Sequence, residues 1–180
     1  PPCGADVVVL TDGGTLGPPE LATSGAEVLL AWVDNDTPFT VSLSPATAEP
    51  VGLAGGFLPS PNTTVDLDVS LAERPDGGFA LAWVERNLDG GFAGAKVSSG
   101  SSSNIYSDAR VARLVRAGAS LVLVTAEGSA WDLRAHSVEP LGNQPISLGL
   151  VSTGQPLAAA VGSTVTAIAA GSWNWAAFAL

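Results

Sequence analysis

The chain says one thing four times. Gly77-Gly78-Phe79-Ala80-Leu81-Ala82-Trp83-Val84-Glu85 runs from a glycine turn through a short apolar stretch to an acid. The same order appears in Gly25-Ala26-Glu27-Val28-Leu29-Leu30-Ala31-Trp32-Val33-Asp34, and fainter copies begin at Gly118 and Gly162. Glycine supplies the left-handed backbone of a tight turn, and an apolar run of this length between turn signals reads as a buried strand. The turn glycines 25, 77, 118 and 162 are spaced by 52, 41 and 44 residues. That period fits units of four strands, which take roughly 40–50 residues each.

Composition agrees. Hydrophobic residues make up 46% of the chain, too many for disorder, and charged residues only 13% against the usual ~25%. Glycine, proline, serine and threonine separate the apolar runs, the pattern of an all-β domain. Val65-Asp66-Leu67-Asp68-Val69-Ser70-Leu71 alternates strictly and is the clearest period-two segment. The other strands read as 6–10, 21–23, 27–33, 39–43, 51–53, 79–85, 92–97, 109–115, 121–126, 131–138, 145–151, 157–161, 165–170 and 175–179. The Ser/Gly-rich tract 98–103 reads as a loop between repeats.

The expected fold is therefore all-β: a β-propeller-like array of four repeats of about 45 residues, either closed by the N-terminal strand or part of a larger propeller. The units fall at about 18–48, 49–98, 99–138 and 139–180, with strand 6–10 completing the last. A β-sandwich is the structural rival, and it leaves the repeated glycine phrase unexplained. The glycine phrase and its period resemble the β-propeller repeat proteins of bacterial cell envelopes. The Gly-His and Trp-Asp marks of WD40 blades, the kelch spacing and the sialidase Asp-box are all missing. The resemblance implies an extracellular, periplasmic or cell-surface location.

The net charge of −10 and the single lysine, Lys96, argue against a nucleic-acid partner. No apolar run reaches the ~20 residues of a membrane-spanning helix. Cys3 has no second cysteine to pair with, and His136 has no second histidine for a metal cluster. A chain that opens at Pro1 and contains no methionine reads as a processed product or a piece of a longer one. Its oligomeric state is left open.

In an up-and-down meander alternate connections share an edge. The glycine turns occupy one edge. The other gathers Asp34, Asn35, Asp36, Asn62, Arg86, Asn87, Asp89, Asn104, Tyr106, Asp108, Ser129, Trp173 and Asn174. Loops held on a rigid scaffold are where ligands bind, and Asp34, Asn35, Asp36, Tyr106, Asp108, Trp173 and Asn174 are the candidate ligand-binding residues. Asp34-Asn35-Asp36 offers oxygens to Ca²⁺, but it is also ordinary turn composition, which is the favoured reading. No cofactor is expected otherwise. Trp173 beside Asn174 makes a platform for a sugar or a cover for the ring seam. Asp66 and Asp68 share a strand face and could act as paired acids in glycoside chemistry, or line a wet channel. A Ser-His-Asp triad is open in composition, but no Gly-x-Ser-x-Gly elbow supports it.

The expected function is a non-catalytic binding module of a secreted or envelope protein, recognising a glycan or a protein on the loop edge. The alternatives are a polysaccharide hydrolase or lyase and a purely structural repeat segment.

Overall fold

The computed structural model describes residues 17–51, 55–57, 60–99, 102–106, 108–129, 131–139, 144–150, 156–169 and 175–179. The described residues are all-β, with fifteen strands and no helix. Sheet I holds β1 (Glu20–Ser24), β2 (Glu27–Asp34), β3 (Thr37–Leu43) and the two-residue β4 (Gly55–Gly56). Sheet II holds β5 (Thr63–Glu73), β6 (Phe79–Asn87), β7 (Phe92–Ser99) and β8 (Ser102–Tyr106). Sheet III holds β9 (Ala109–Ala117), β10 (Ser120–Glu127), β11 (Asp132–Glu139) and β12 (Ile146–Leu150). Sheet IV holds β13 (Pro156–Val161), β14 (Thr164–Ala169) and β15 (Trp175–Ala179). Each is an antiparallel meander in sequence order.

The repeated glycines do what the pattern requires. Gly25, Gly77, Gly118 and Gly162, with φ of 58°, 93°, 60° and 62°, turn the first strand of each sheet into the second. Two expectations change. The sequence places an outer strand at 51–53, opening the unit 49–98; the outer strand of sheet I is instead β4, which pairs Gly55 and Gly56 with Thr40 and Phe39, and residues 52–54 lie outside the description. The tract 98–103, expected as a loop, supplies the end of β7 and the start of β8, paired through Ser98↔Ser103 and Ser99↔Ser102. A strand paired on one side only is held by backbone hydrogen bonds and needs no apolar run, so serine gives no signal for it. The N-terminal strand expected at 6–10, and any closure through it, lie outside the described residues.

Neighbouring sheets pack in chain order, and each of the three contacts has its own core. Between sheets I and II lie Ala31, Val33, Val65, Val69, Leu71, Leu81 and Trp83. Between sheets II and III, the small residues Ala72, Ala80, Ala82 and Ala95 face Leu114, Leu121 and Leu123. Between sheets III and IV, Val115, Val122, Val124 and Leu133 meet Val165. Strands β6 and β10 are thus buried on both faces, odd residues to one neighbour and even to the other. This is why they read as unbroken apolar runs rather than as alternation. The matching of alanine against leucine lets these two sheets approach closely.

The first strands of successive sheets also lie side by side, β1 against β5, β5 against β9 and β9 against β13. Polar side chains bridge them. The Leu71 amide donates to Glu20 Oε2 at 2.7 Å, and the Leu114 amide donates to Ser70 Oγ at 2.9 Å. Arg113 Nη2 donates to Asp68 Oδ2 at 2.6 Å. Burial raises the Glu20 carboxyl above its ordinary value, with the Leu71 amide and Arg113 opposing it only in part.

Candidate functional site

The Asp34-Asn35-Asp36 cluster forms the hairpin between β2 and β3, with Asp34 paired to Thr37. Asn35 and Asp36 have φ of 47° and 61°, both in the left-handed region. A two-residue hairpin loop demands that conformation, and Asn and Asp tolerate it better than other side chains. Turn geometry therefore accounts for these residues without a cation. Among the described residues no group of three or more His, Cys, Asp or Glu is placed to hold a metal.

Asp34 belongs to a second pattern, the acid that ends the glycine phrase. The equivalent residues of sheets II and III are Glu85 and Glu127, both buried. Glu85 accepts from Trp83 Nε1 at 3.0 Å, from the Ser60 amide at 3.1 Å and from the Thr63 hydroxyl at 3.2 Å, with Lys96 Nζ 3.6 Å away. Burial pushes its carboxyl up, but the donations from Ser60 and Trp83 and the charge of Lys96 together outweigh it, and the net displacement is downward. Phe57, arriving from sheet I, packs on Trp83 with ring centroids 5.8 Å apart.

Sheet III repeats this arrangement with other residues. The Thr125 hydroxyl donates to Glu127 Oε1 at 2.7 Å, Arg134 Nη1 lies 3.2 Å from Oε2, and His136 Nε2 lies 2.5 Å from Oε1. Tyr106, the last residue of β8, meets the His136 ring edge-on at 4.7 Å. Threonine, histidine and carboxylate in contact invite comparison with a nucleophilic triad, but the geometry excludes a relay. In a triad the acid and the nucleophile occupy opposite nitrogens of the imidazole. Here Glu127 and Thr125 both approach Nε2, at 2.5 and 3.1 Å, and the hydroxyl is committed to the carboxylate. The cluster ties β10 to β11.

The first unit is an incomplete version. Trp32 Nε1 and Asp34 Oδ1 are both buried without a hydrogen-bond partner, although they sit where Trp83 and Glu85 bond. Asp is one methylene shorter than Glu, which removes the reach. Replacing Asp34 with Glu is expected to restore the bond and stabilise the fold by about 1 kcal/mol. Urea unfolding checks this as a higher midpoint at unchanged slope; an unchanged midpoint would show that Trp32 does not present its N–H to this position.

Of the remaining candidates, Tyr106 is part of the packing just described. Its hydroxyl is buried and unpartnered, and burial raises its pKa. Trp173 and Asn174 lie outside the described residues. Asp68 is paired with Arg113, and the side chain of Asp66 is not described. No hydrogen bond, ion pair or ring contact joins the Asp34–Asp36 hairpin to Tyr106 or Asp108 among the described residues.

Asp108 is the candidate that falls in a cavity. A cleft of about 250 Å³ opens between the loop ends of sheets II and III, lined by Phe92, Asp108, Arg110, Gly128 and Ser129. Phe92 begins β7, Asp108 and Arg110 flank the start of β9, and Gly128 and Ser129 lead into β11. The Arg110 guanidinium carbon lies 5.2 Å from the Phe92 ring centroid and 5.3 Å from that of Trp131. Arg86 approaches Phe92 at 4.3 Å. Asp108 and Trp131 have φ of 60° and 54°. For a bulky residue such as Trp131 that conformation costs about 1–2 kcal/mol, and the surrounding turn holds it there. The Gly128 amide donates to the Asp108 carbonyl at 3.3 Å and the Trp131 amide to the Gly128 carbonyl at 3.4 Å. Sequence reasoning found Asp108 and the loop edge but missed Phe92, Arg110 and Trp131 as site residues. The available signal was weak: an arginine two residues beyond a loop aspartate.

No family model and no curated protein matches the chain. A solved structure, that of a protein of unknown function from Bacteroides caccae, aligns with a TM-score of 0.49 at 12% identity, over 95% of this chain. The chain spans 59% of that protein's length.

Proposed function

We propose that the chain is a non-catalytic binding module of a secreted or envelope protein, with its four sheets arranged as blades of a propeller and its ligand seated in the cleft between the loop ends of sheets II and III. The blade arrangement is supported by the order of the meanders and by the lateral contact of β1, β5, β9 and β13. The observation that carries the binding reading is the cleft itself, where Arg110 is held between two aromatic rings beside Asp108. A cleft of about 250 Å³ is just below the range of whole-cofactor pockets, roughly 300–1,000 Å³, and suits a single sugar ring or side chain. A glycan is favoured over a protein surface because the cleft sets the Phe92 ring among the convergent polar groups of Asp108, Arg110 and Ser129. The ion pairing of Asp68 and the wrong-nitrogen geometry at His136 favour binding over hydrolysis.

Titration of a saccharide panel into the isotope-labelled chain tests this. Amide shifts are expected at Gly128, Ser129 and Asp108 with one class of saccharide, which is recovered uncleaved. A panel that leaves these amides unmoved, or a ligand that is cleaved, would reject the reading.

A further inference from the structure

The binding reading leaves the chemistry of the ligand open, and the inference that follows rests on it. The chain carries 17 acids and 7 bases. In such an excess of carboxylates a cation is expected to find a partner. Arg74 pairs with Asp76 and Glu139, Lys96 with Glu85, Arg113 with Asp68, Arg116 with Glu73, and Arg134 with Asp132 and Glu127. Arg110 makes no salt bridge among the described residues. It is held instead by the π faces of Phe92 and Trp131, and it lines the cleft.

Cation–π contacts at these distances satisfy the charge without using the guanidinium N–H groups, and no hydrogen bond or salt bridge takes them up among the described residues. Those groups form a planar fork whose spacing matches a carboxylate. Asp108 does not fill it, although it is two residues away and lines the same cleft. Asp108 accepts hydrogen bonds and Ser129 gives or accepts them, the groups that hold hydroxyls. Arginine, acid and hydroxyl together match a ring that carries one carboxylate flanked by hydroxyls. The net charge of −10 opposes polyanions approaching from a distance, so recognition is confined to one carboxylate at short range.

We infer that the cleft binds an acidic saccharide of the uronic-acid class, with its carboxylate on Arg110. The methyl glycoside of galacturonic acid, with one carboxylate, and its methyl ester distinguish charge from shape, because they share the ring and every hydroxyl. In NMR titrations of the intact chain, the acid is expected to shift the Gly128 and Ser129 amides, with the ester at least tenfold weaker. Arg110→Ala is expected to weaken the acid about 30-fold, in keeping with one charge-assisted bidentate contact, and to erase the preference over the ester. Arg110→Lys keeps the charge without the fork and is expected to recover only part of the loss. Thermal unfolding of both variants confirms that they fold, and the acid–ester comparison needs no variant.

Equal binding of acid and ester would overturn the carboxylate assignment and leave the binding module standing. Failure of both, with shifts produced instead by a peptide ending in a free carboxylate, would overturn the saccharide assignment. Failure of every probe in the panel would remove the binding reading as well.

Discussion

Glu85→Ala should destabilise the protein by about 3–5 kcal/mol, the cost of leaving a buried charge and its donors without their acceptor. Four groups converge on this carboxylate: the Trp83 indole and the Ser60 amide, together with the Thr63 hydroxyl and the Lys96 ammonium, which also reach the Ser60 carbonyl and hydroxyl. Against a typical total of about 5–15 kcal/mol this is a large share. Glu85→Gln keeps one acceptor and should cost less. The pH dependence has a definite sign. The Glu85 pKa is lowered in the folded state from its ordinary 4.5, so its stabilisation is present above that value and is lost as pH falls through the folded pKa. Urea unfolding of wild type and Glu85→Gln at pH 7 and at pH 3 should therefore show a gap that narrows in acid. A constant gap would mean that the carboxylate contributes by shape alone.

Leu123→Ala should cost about 3–4 kcal/mol. Leu123 is fully buried in β10 and projects into the core between sheets II and III, where its neighbours are already alanines. Ala80 and Ala82 have no rotamer with which to fill the space. The lost methyl groups leave a cavity rather than a repacked interior. Leu88→Ala is the control: Leu88 is 71% exposed in the loop between β6 and β7, and its removal should change stability by less than about 0.5 kcal/mol. Similar midpoints for the two variants would show that the sheets separate at this contact without loss of the fold.

The sheets were legible because their signals are local. A glycine at positive φ followed by a buried strand is written within ten residues, and the four hairpins stand where Gly25, Gly77, Gly118 and Gly162 put them. Strand β8 was not legible, because an outer strand of serines is specified by the register of its neighbour and not by its own side chains. The cleft was legible only through Asp108 and Ser129, whose loop positions mark it. Phe92 comes from sheet II, Arg110 from β9 and Trp131 from the turn before β11. Nothing in their spacing announces that packing between two sheets brings their side chains together. Glu85 and Glu127 were visible as the acid closing the repeated phrase, but their burial follows from sheet stacking, which no single unit encodes.

The cleft straddles a seam. Phe92 belongs to one unit and Arg110, Asp108 and Ser129 to the next. A copy of sheet I placed after sheet II would keep its own glycine turn, indole and closing acid. It would also carry Phe92 away from Arg110 and Trp131. Stability is therefore inherited unit by unit, whereas the site is a property of one particular junction. The order of the units is part of its specificity, as much as the residues within them.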